Sequence, residues 1–116
     1  MKYVIAGVSA ALILTCAQIA VSASSGQSVS TNNWVTTEAA AKCVVDATAA
    51  LTTAGFKHVS SGKTHKDGSV VLFADQDTYQ AVIFCLDKYI TVEVTGPRDA
   101  KTSSLVDAFV KAWNAE

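Results

Sequence analysis

Few side chains in this sequence have the type and spacing that catalysis requires. His58 and His65 lie seven residues apart and Asp67 follows closely, so a hydrolase would have to draw its acid and base groups from this region. The chain has no GxSxG motif, which would expose a serine nucleophile, and no HExxH motif, which would bind zinc. We therefore expect no catalytic residues and a protein that is not an enzyme. The alternative is a small periplasmic ligand-binding protein or hydrolase that uses the His58/His65/Asp67 loop region.

Metal and phosphate sites have equally little support. Asp75-Gln76-Asp77 begins like a calcium loop but lacks the glycine and the distal glutamate, so the segment is interpreted as a hairpin turn. Neither GxGxxG nor GxxxxGK[ST] occurs. Residues 61–68 include Lys63, His65 and Lys66, which could contact an anion, although a mobile surface loop explains the same composition. We expect no metal and no cofactor, and the sequence identifies no small-molecule ligand.

The first 23 residues have the pattern of a secretory signal peptide. Lys2 precedes an apolar run, and Val21-Ser22-Ala23 supplies the small residues that a signal peptidase recognises. Of these 23 residues 17 are hydrophobic, against 41 of the other 93, so the positive mean hydropathy owes much to this segment. A retained membrane anchor is the competing interpretation, because the run approaches spanning length. The pattern favours cleavage and export to the periplasm or beyond, with no membrane contact afterwards.

Cleavage would leave Cys43 and Cys85 as the two cysteines of the mature chain. An oxidising compartment favours a disulfide between them, and the absence of a CxxC motif argues against a redox site. The bond would close a loop spanning 42 positions. The loss of chain entropy in the unfolded state would then stabilise the fold by about 4 kcal/mol.

Composition limits the remaining possibilities. The chain has 116 residues and a net charge of −1, so it lacks the basic surface that nucleic-acid binding requires. We predict a signal peptide over residues 1–23, a disordered polar leader over 24–33, and a single α+β domain over 34–116.

Two helices and four strands are predicted within that domain. The helices should span 36–54, capped by Thr36 or Asn33 and ended by Gly55, and 99 or 100 to 114. β-Branched and aromatic residues predict strands over 70–74, 79–86 and 89–95, with a weaker one near 57–60. The expected fold is a two-layer sandwich: helix, four-stranded antiparallel meander, helix, with both helices on one sheet face.

Strand register then decides which residues share a face. A two-residue turn at Asp87-Lys88 pairs Leu86 with Tyr89 and Cys85 with Ile90. A four-residue turn over 75–78 pairs Ala74 with Tyr79 and Leu72 with Ala81. Both registers direct Cys85 to the core, where Cys43 points from the helix.

The same registers leave apolar residues on the opposite sheet face, namely Val71, Phe73, Val82, Phe84, Leu86 and Tyr89. Three explanations are open: the second helix or the leader covers this face, two copies associate through it, or it binds another protein or an apolar ligand. We expect a small exported interaction module that acts through this face, as a homodimer or by binding or inhibiting another protein.

Overall fold

Five strands and two helices form the part of the chain that the computed structural model describes, residues 27–116. In chain order they are β1 (Ser28–Val35), α1 (Ala40–Thr53), β2 (Lys57–Ser61), β3 (Val70–Gln76), β4 (Tyr79–Leu86), β5 (Tyr89–Gly96) and α2 (Asp99–Asn114). The strands make one antiparallel sheet in the order β1-β5-β4-β3-β2. The α+β class is confirmed, but the sheet has five strands where four were predicted. The predicted signal peptide and residues 24–26 lie outside the described residues.

The additional strand, β1, comes from the segment predicted to be a disordered leader. That prediction is wrong for residues 28–33, because β1 pairs with β5 along its whole length without a break in register. Trp34 fixes the strand to α2, since its ring lies 6.4 Å from that of Phe109 and 5.9 Å from that of Trp113. Aromatic packing and a complete ladder of backbone hydrogen bonds offset the low hydrophobicity of the rest of the segment.

Helix α1 begins later than predicted and ends where predicted. The Thr36 N–H donates to the Lys88 carbonyl at 3.1 Å, which extends the β1–β5 pairing past Val35 and delays the helix to Ala40. Thr36 Oγ1 accepts from the Glu38 N–H at 3.2 Å instead of capping the helix. At the other end Gly55 has φ +95°, and the Phe56 N–H donates to the Leu51 carbonyl at 2.9 Å. This is the Schellman ending that glycine permits.

One predicted hairpin register is confirmed and the other is wrong by two residues. Leu86 pairs with Tyr89 and Cys85 with Ile90, as predicted. In the β3–β4 hairpin, however, Ala74 pairs with Ala81 and Leu72 with Ile83, because β3 continues to Gln76 and the turn contains only Asp77 and Thr78. Since side chains alternate with a period of two, the error leaves every residue on its predicted face.

A single buried core contains residues of both helices and alternate residues of the strands. Cys43 of α1 and Cys85 of β4 are fully buried in it and form the predicted disulfide, with their Cα atoms 5.7 Å apart. α1 contacts β2, β3 and β4, whereas α2 contacts β1 and β5. Alternate strand residues enter this core, among them Leu72, Ile83 and Val92.

Gly96, the last residue of β5, makes room for an aromatic ring. A Cβ atom at this position would overlap the ring of Tyr79, which is 8% exposed. We expect Gly96→Ala to lower the free energy of unfolding by about 1–3 kcal/mol, the usual cost of overpacking. Urea denaturation measures the change. Gly62→Ala is the matched control, because its Cβ would approach no atom closer than 3.6 Å, and an equal loss in both variants would contradict this assignment.

Candidate interaction surface

The second face of the sheet, called here the open face, consists of the strand residues that alternate with the buried ones. All six predicted surface residues lie on it: Val71, Phe73, Val82, Phe84, Leu86 and Tyr89. Val71 pairs with Phe84, Phe73 with Val82, and Leu86 with Tyr89, so the six side chains form one cluster across β3, β4 and the start of β5. We call this cluster the apolar patch.

The patch is accessible to solvent. Phe73 is 48% exposed and Phe84 37%, while the other four members are half-buried by their neighbours. Covering of this face by α2 or by the leader was one of the three explanations. Within residues 27–116 it does not occur, since the apolar residues of α2 are buried in the core and residues 28–33 lie at the sheet edge. Two large aromatic side chains therefore remain in contact with water.

Polar groups border the patch on both sides. Glu93 of β5 lies opposite Val82, and the Tyr89 hydroxyl donates to Asn33 Oδ1 at 2.8 Å. On the β2 side, His58 Nδ1 lies 3.0 Å and 3.2 Å from the two Asp75 carboxylate oxygens. The patch itself contains no charged side chain, so its occupant needs no buried countercharge.

Two depressions lie along the patch, and they keep the candidate catalytic residues apart. One of about 530 Å³ is lined by Phe84, Leu86 and the loop that carries His65 and Asp67. The other, of about 170 Å³, is lined by His58 together with Ser60, Phe73 and Asp75, among others. The hydrolase alternative requires His58, His65 and Asp67 in one site. The structure instead places His58 along one depression and His65 and Asp67 along the other.

The polar groups beside these depressions have structural partners. Asp67 Oδ1 accepts from the Ser69 N–H at 2.9 Å and from Ser69 Oγ at 2.6 Å, and these hydrogen bonds lower the pKa of the Asp67 carboxyl. His58 belongs to an irregular part of β2, where its φ is +55° and the pairing with β3 shifts register. Ser60 shares the smaller depression with His58, but no hydrogen bond joins their side chains among residues 27–116. A nucleophile–base pair is not assembled here.

From residue 27 to the C-terminus, no three His, Cys, Asp or Glu side chains are grouped closely enough to hold a metal ion. Within that same range neither helix is long and apolar enough to cross a membrane.

A carboxylate cluster lies away from the open face, at the start of α1. The Lys42 ammonium contacts Asp46 at 2.9 Å, and this hydrogen bond lowers the pKa of the Asp46 carboxyl. Burial raises the pKa of Glu38, and the neighbouring Asp46 raises it further. Glu38 Oε1 is buried without a hydrogen-bond partner among the described residues. Repulsion and desolvation therefore disfavour the charged form of Glu38 in the folded state.

We expect Glu38→Gln to stabilise the protein slightly near pH 7.5, by about 0.5 kcal/mol or less because the cluster is close to solvent. The raised pKa means that the wild-type carboxyl opposes folding when ionised, so the advantage should disappear as the pH falls and Glu38 becomes protonated. Urea denaturation at pH 7.5 and pH 4 measures both effects. Glu93→Gln on the open face serves as the control, and a Glu38→Gln variant less stable than wild type at pH 7.5 would contradict the argument.

The sequence did not reveal the strand β1. Residues 28–35 contain no charge, no glycine and no proline, and Val29, Thr31 and Val35 are β-branched, which is the signal that could have identified it. Comparison with known proteins adds no assignment: no family model matches the chain, and neither the curated proteins nor the solved structures contain a match.

Proposed function

We propose that this chain is a small exported interaction module without catalytic activity, and that a second copy of the chain occupies its open face. The observation that carries the proposal is the apolar patch on a sheet face that no described residue covers. A contiguous exposed apolar patch on a sheet is typical of an interaction surface.

The exposed aromatic side chains give the association its driving force. Phe73 and Phe84 lie diagonally across β3 and β4 near the middle of the patch, where a partner would remove both from water. Burial of apolar surface contributes about 25 cal/mol per Å², and aromatic residues are the usual energetic centres of protein interfaces. Glu93 and the His58–Asp75 pair lie at the borders, where charges remain hydrated.

The size and shape of the face favour a second copy as its occupant. Five strands with a spacing of about 4.8 Å, most of them seven or eight residues long, present a face of about 24 by 24 Å. This is about 580 Å² per partner, which is in the range of weak, reversible interfaces and fits an association in the micromolar range. Two such faces can pack as sheets do in a sandwich, about 10 Å apart and related by a two-fold axis. The layered arrangement proposed here, with both helices behind the sheet, leaves that approach free.

Export is supported by the signal-like segment and by the disulfide. The Cys43–Cys85 bond is typical of proteins that fold in an oxidising compartment. The balanced net charge of −1 fits a protein surface as partner better than nucleic acid.

Sedimentation equilibrium of the protein expressed from the full chain tests the proposal. We expect a reversible self-association in the micromolar range that weakens when a short-chain alcohol is added, because the alcohol weakens apolar contacts. A mass that stays monomeric up to millimolar concentration would overturn the second copy as the occupant of the open face.

A further inference from the structure

Within residues 27–116, the edge strand β1 has no pairing partner on its outer side, and it lacks the features that usually protect such an edge. It lies at the end of the sheet and pairs only with β5 among the described strands. Its eight residues include no charged side chain and no proline, and its pairing runs without a bulge from Ser28 to Val35. Natural edge strands usually carry at least one of these devices, which prevent pairing with another chain.

The opposite edge of the same sheet shows such devices. In β2 the pairing with β3 shifts register between Lys57 and Ser60, and His58 takes a positive φ of +55°. Lys57 and His58 place cationic or polar side chains at that edge, and both are exposed. The contrast within one sheet indicates that β1, not β2, is the edge that can accept another strand.

Two hydrogen bonds identify the backbone groups that face outward from β1. The Thr36 N–H donates to the Lys88 carbonyl, so the even-numbered residues direct their N–H groups towards β5. The Asn33 N–H instead donates to Asn32 Oδ1 at 2.8 Å, which shows that it points away from β5. Val29, Thr31, Asn33 and Val35 therefore present their N–H and C=O groups to the unpaired side. Of these four amides, only that of Asn33 has a side-chain acceptor among residues 27–116.

We propose that β1 pairs with β1 of a second copy, antiparallel and centred on Asn32. This register places Val29 opposite Val35 of the second copy, and Thr31 opposite Asn33. It uses all four outward-facing residues and forms about eight N–H···O=C hydrogen bonds. No like charges meet, because the strand has none.

The exposed apolar side chains of β1 favour this register. Val29 is 53% exposed and Val35 77%, and the pairing brings these two residues into cross-strand contact at both ends of the interface. The two-fold axis of an antiparallel pair is perpendicular to the sheet, so both open faces would lie on the same side of a continuous ten-stranded sheet. The edge pairing does not depend on the proposed association of open faces, because it uses a different set of groups.

A proline at an outward-facing position tests the pairing. Thr31→Pro removes an N–H that does not bond to β5, so the β1–β5 ladder keeps its hydrogen bonds while the edge can no longer pair. The background is Phe84→Asp, which removes the contribution of the open face. In this background we expect a dimer by sedimentation equilibrium, and we expect Thr31→Pro to raise its dissociation constant at least tenfold. Thr31→Val retains the N–H, so its dissociation constant should equal that of the Phe84→Asp protein.

Hydrogen exchange on the Phe84→Asp protein provides the second readout and requires no change to β1. At concentrations where this protein is dimeric, we expect slow exchange of the Val29 and Thr31 amides, which becomes fast on dilution to the monomer. Near-ultraviolet circular dichroism of Trp34 verifies that the proline variant is folded. Fast exchange of both amides in the dimer, a Phe84→Asp protein that is monomeric throughout, or a folded Thr31→Pro variant with an unchanged dissociation constant would each overturn the proposal.

Discussion

Replacement of both disulfide cysteines, Cys43→Ala with Cys85→Ala, is expected to lower the free energy of unfolding by about 3–4 kcal/mol. The bond connects α1 to the central strand β4 across 42 positions of sequence, so its loss gives the unfolded chain much additional conformational freedom. Both sulfur atoms also belong to the buried core, and alanine leaves part of their volume unfilled. For a domain of this size the total stability is on the order of 5–10 kcal/mol, so the variant should be only marginally folded at 37 °C.

Urea denaturation with tryptophan fluorescence measures this loss. Wild-type protein in the presence of a reductant is the control, because it removes the covalent bond without the change in side-chain volume. The free energies of unfolding of the double alanine variant and of the reduced wild-type protein should be similar, and both should be well below that of the oxidised wild-type protein. A loss of less than 1 kcal/mol in both would show that helix and sheet hold together without the bond.

The second large effect is expected from Phe84→Asp, which should weaken association through the open face by about 100-fold or more. Phe84 lies on β4 between Val71 and Thr91 in the neighbouring strands, and 37% of it is exposed in the single chain. A carboxylate here would have to lose its water in the interface without gaining a partner, which costs several kcal/mol. In the monomer the same carboxylate remains hydrated, so the fold should change little.

Val45→Asp is the matched control for this experiment. Val45 is another exposed apolar residue, 66% accessible, but it lies on α1, away from the patch. Both variants introduce the same charge, so only the position differs. Phe84→Thr removes the aromatic ring without adding charge and keeps a residue suited to a strand. Equal dissociation constants for Phe84→Asp, Val45→Asp and wild type, in proteins with unchanged melting temperatures, would contradict the role assigned to the open face.

Much of the fold follows from local patterns that are hard to misread. Gly55 and Phe56 are sufficient to predict the end of α1. The spacing of apolar residues likewise predicts α2, which spans Asp99–Asn114. The composition of the patch is equally robust. The wrong β3–β4 turn shifted the pairing by an even number of residues, so the same side chains remained on the open face.

The two errors, in the β3–β4 turn and in the missed strand β1, have the same cause. In both places, partners distant in sequence hold polar residues in a strand. Asp75 stays in β3 beside His58, and Gln76 Nε2 donates to the Ala54 carbonyl at 3.3 Å. In β1, Ser30 Oγ lies 2.8 Å from Thr102 Oγ1 of α2, 72 positions later. Local composition favours loops in both places, and only the tertiary contacts reverse that preference.

The separation of His58 from His65 and Asp67 could not be read from the sequence either. A separation of seven positions between the histidines is compatible with one site or with two, depending on the path of the loop that follows β2. That loop takes His65 to the end of the patch next to Leu86, whereas the irregular pairing of β2 turns His58 towards Asp75. The candidate surface was therefore predictable because it depends on alternation along strands, whereas a catalytic site would depend on loop geometry.

Hydroxyl-radical footprinting tests most directly whether the protein associates through the open face. Oxidation of Phe73 and Phe84 is measured in wild-type protein above and below the concentration at which the mass doubles, with Trp113 as the internal reference. We predict that both phenylalanines are protected several-fold in the associated protein while Trp113 is unchanged. Equal oxidation of Phe73 and Phe84 at both concentrations would show that the association uses another surface.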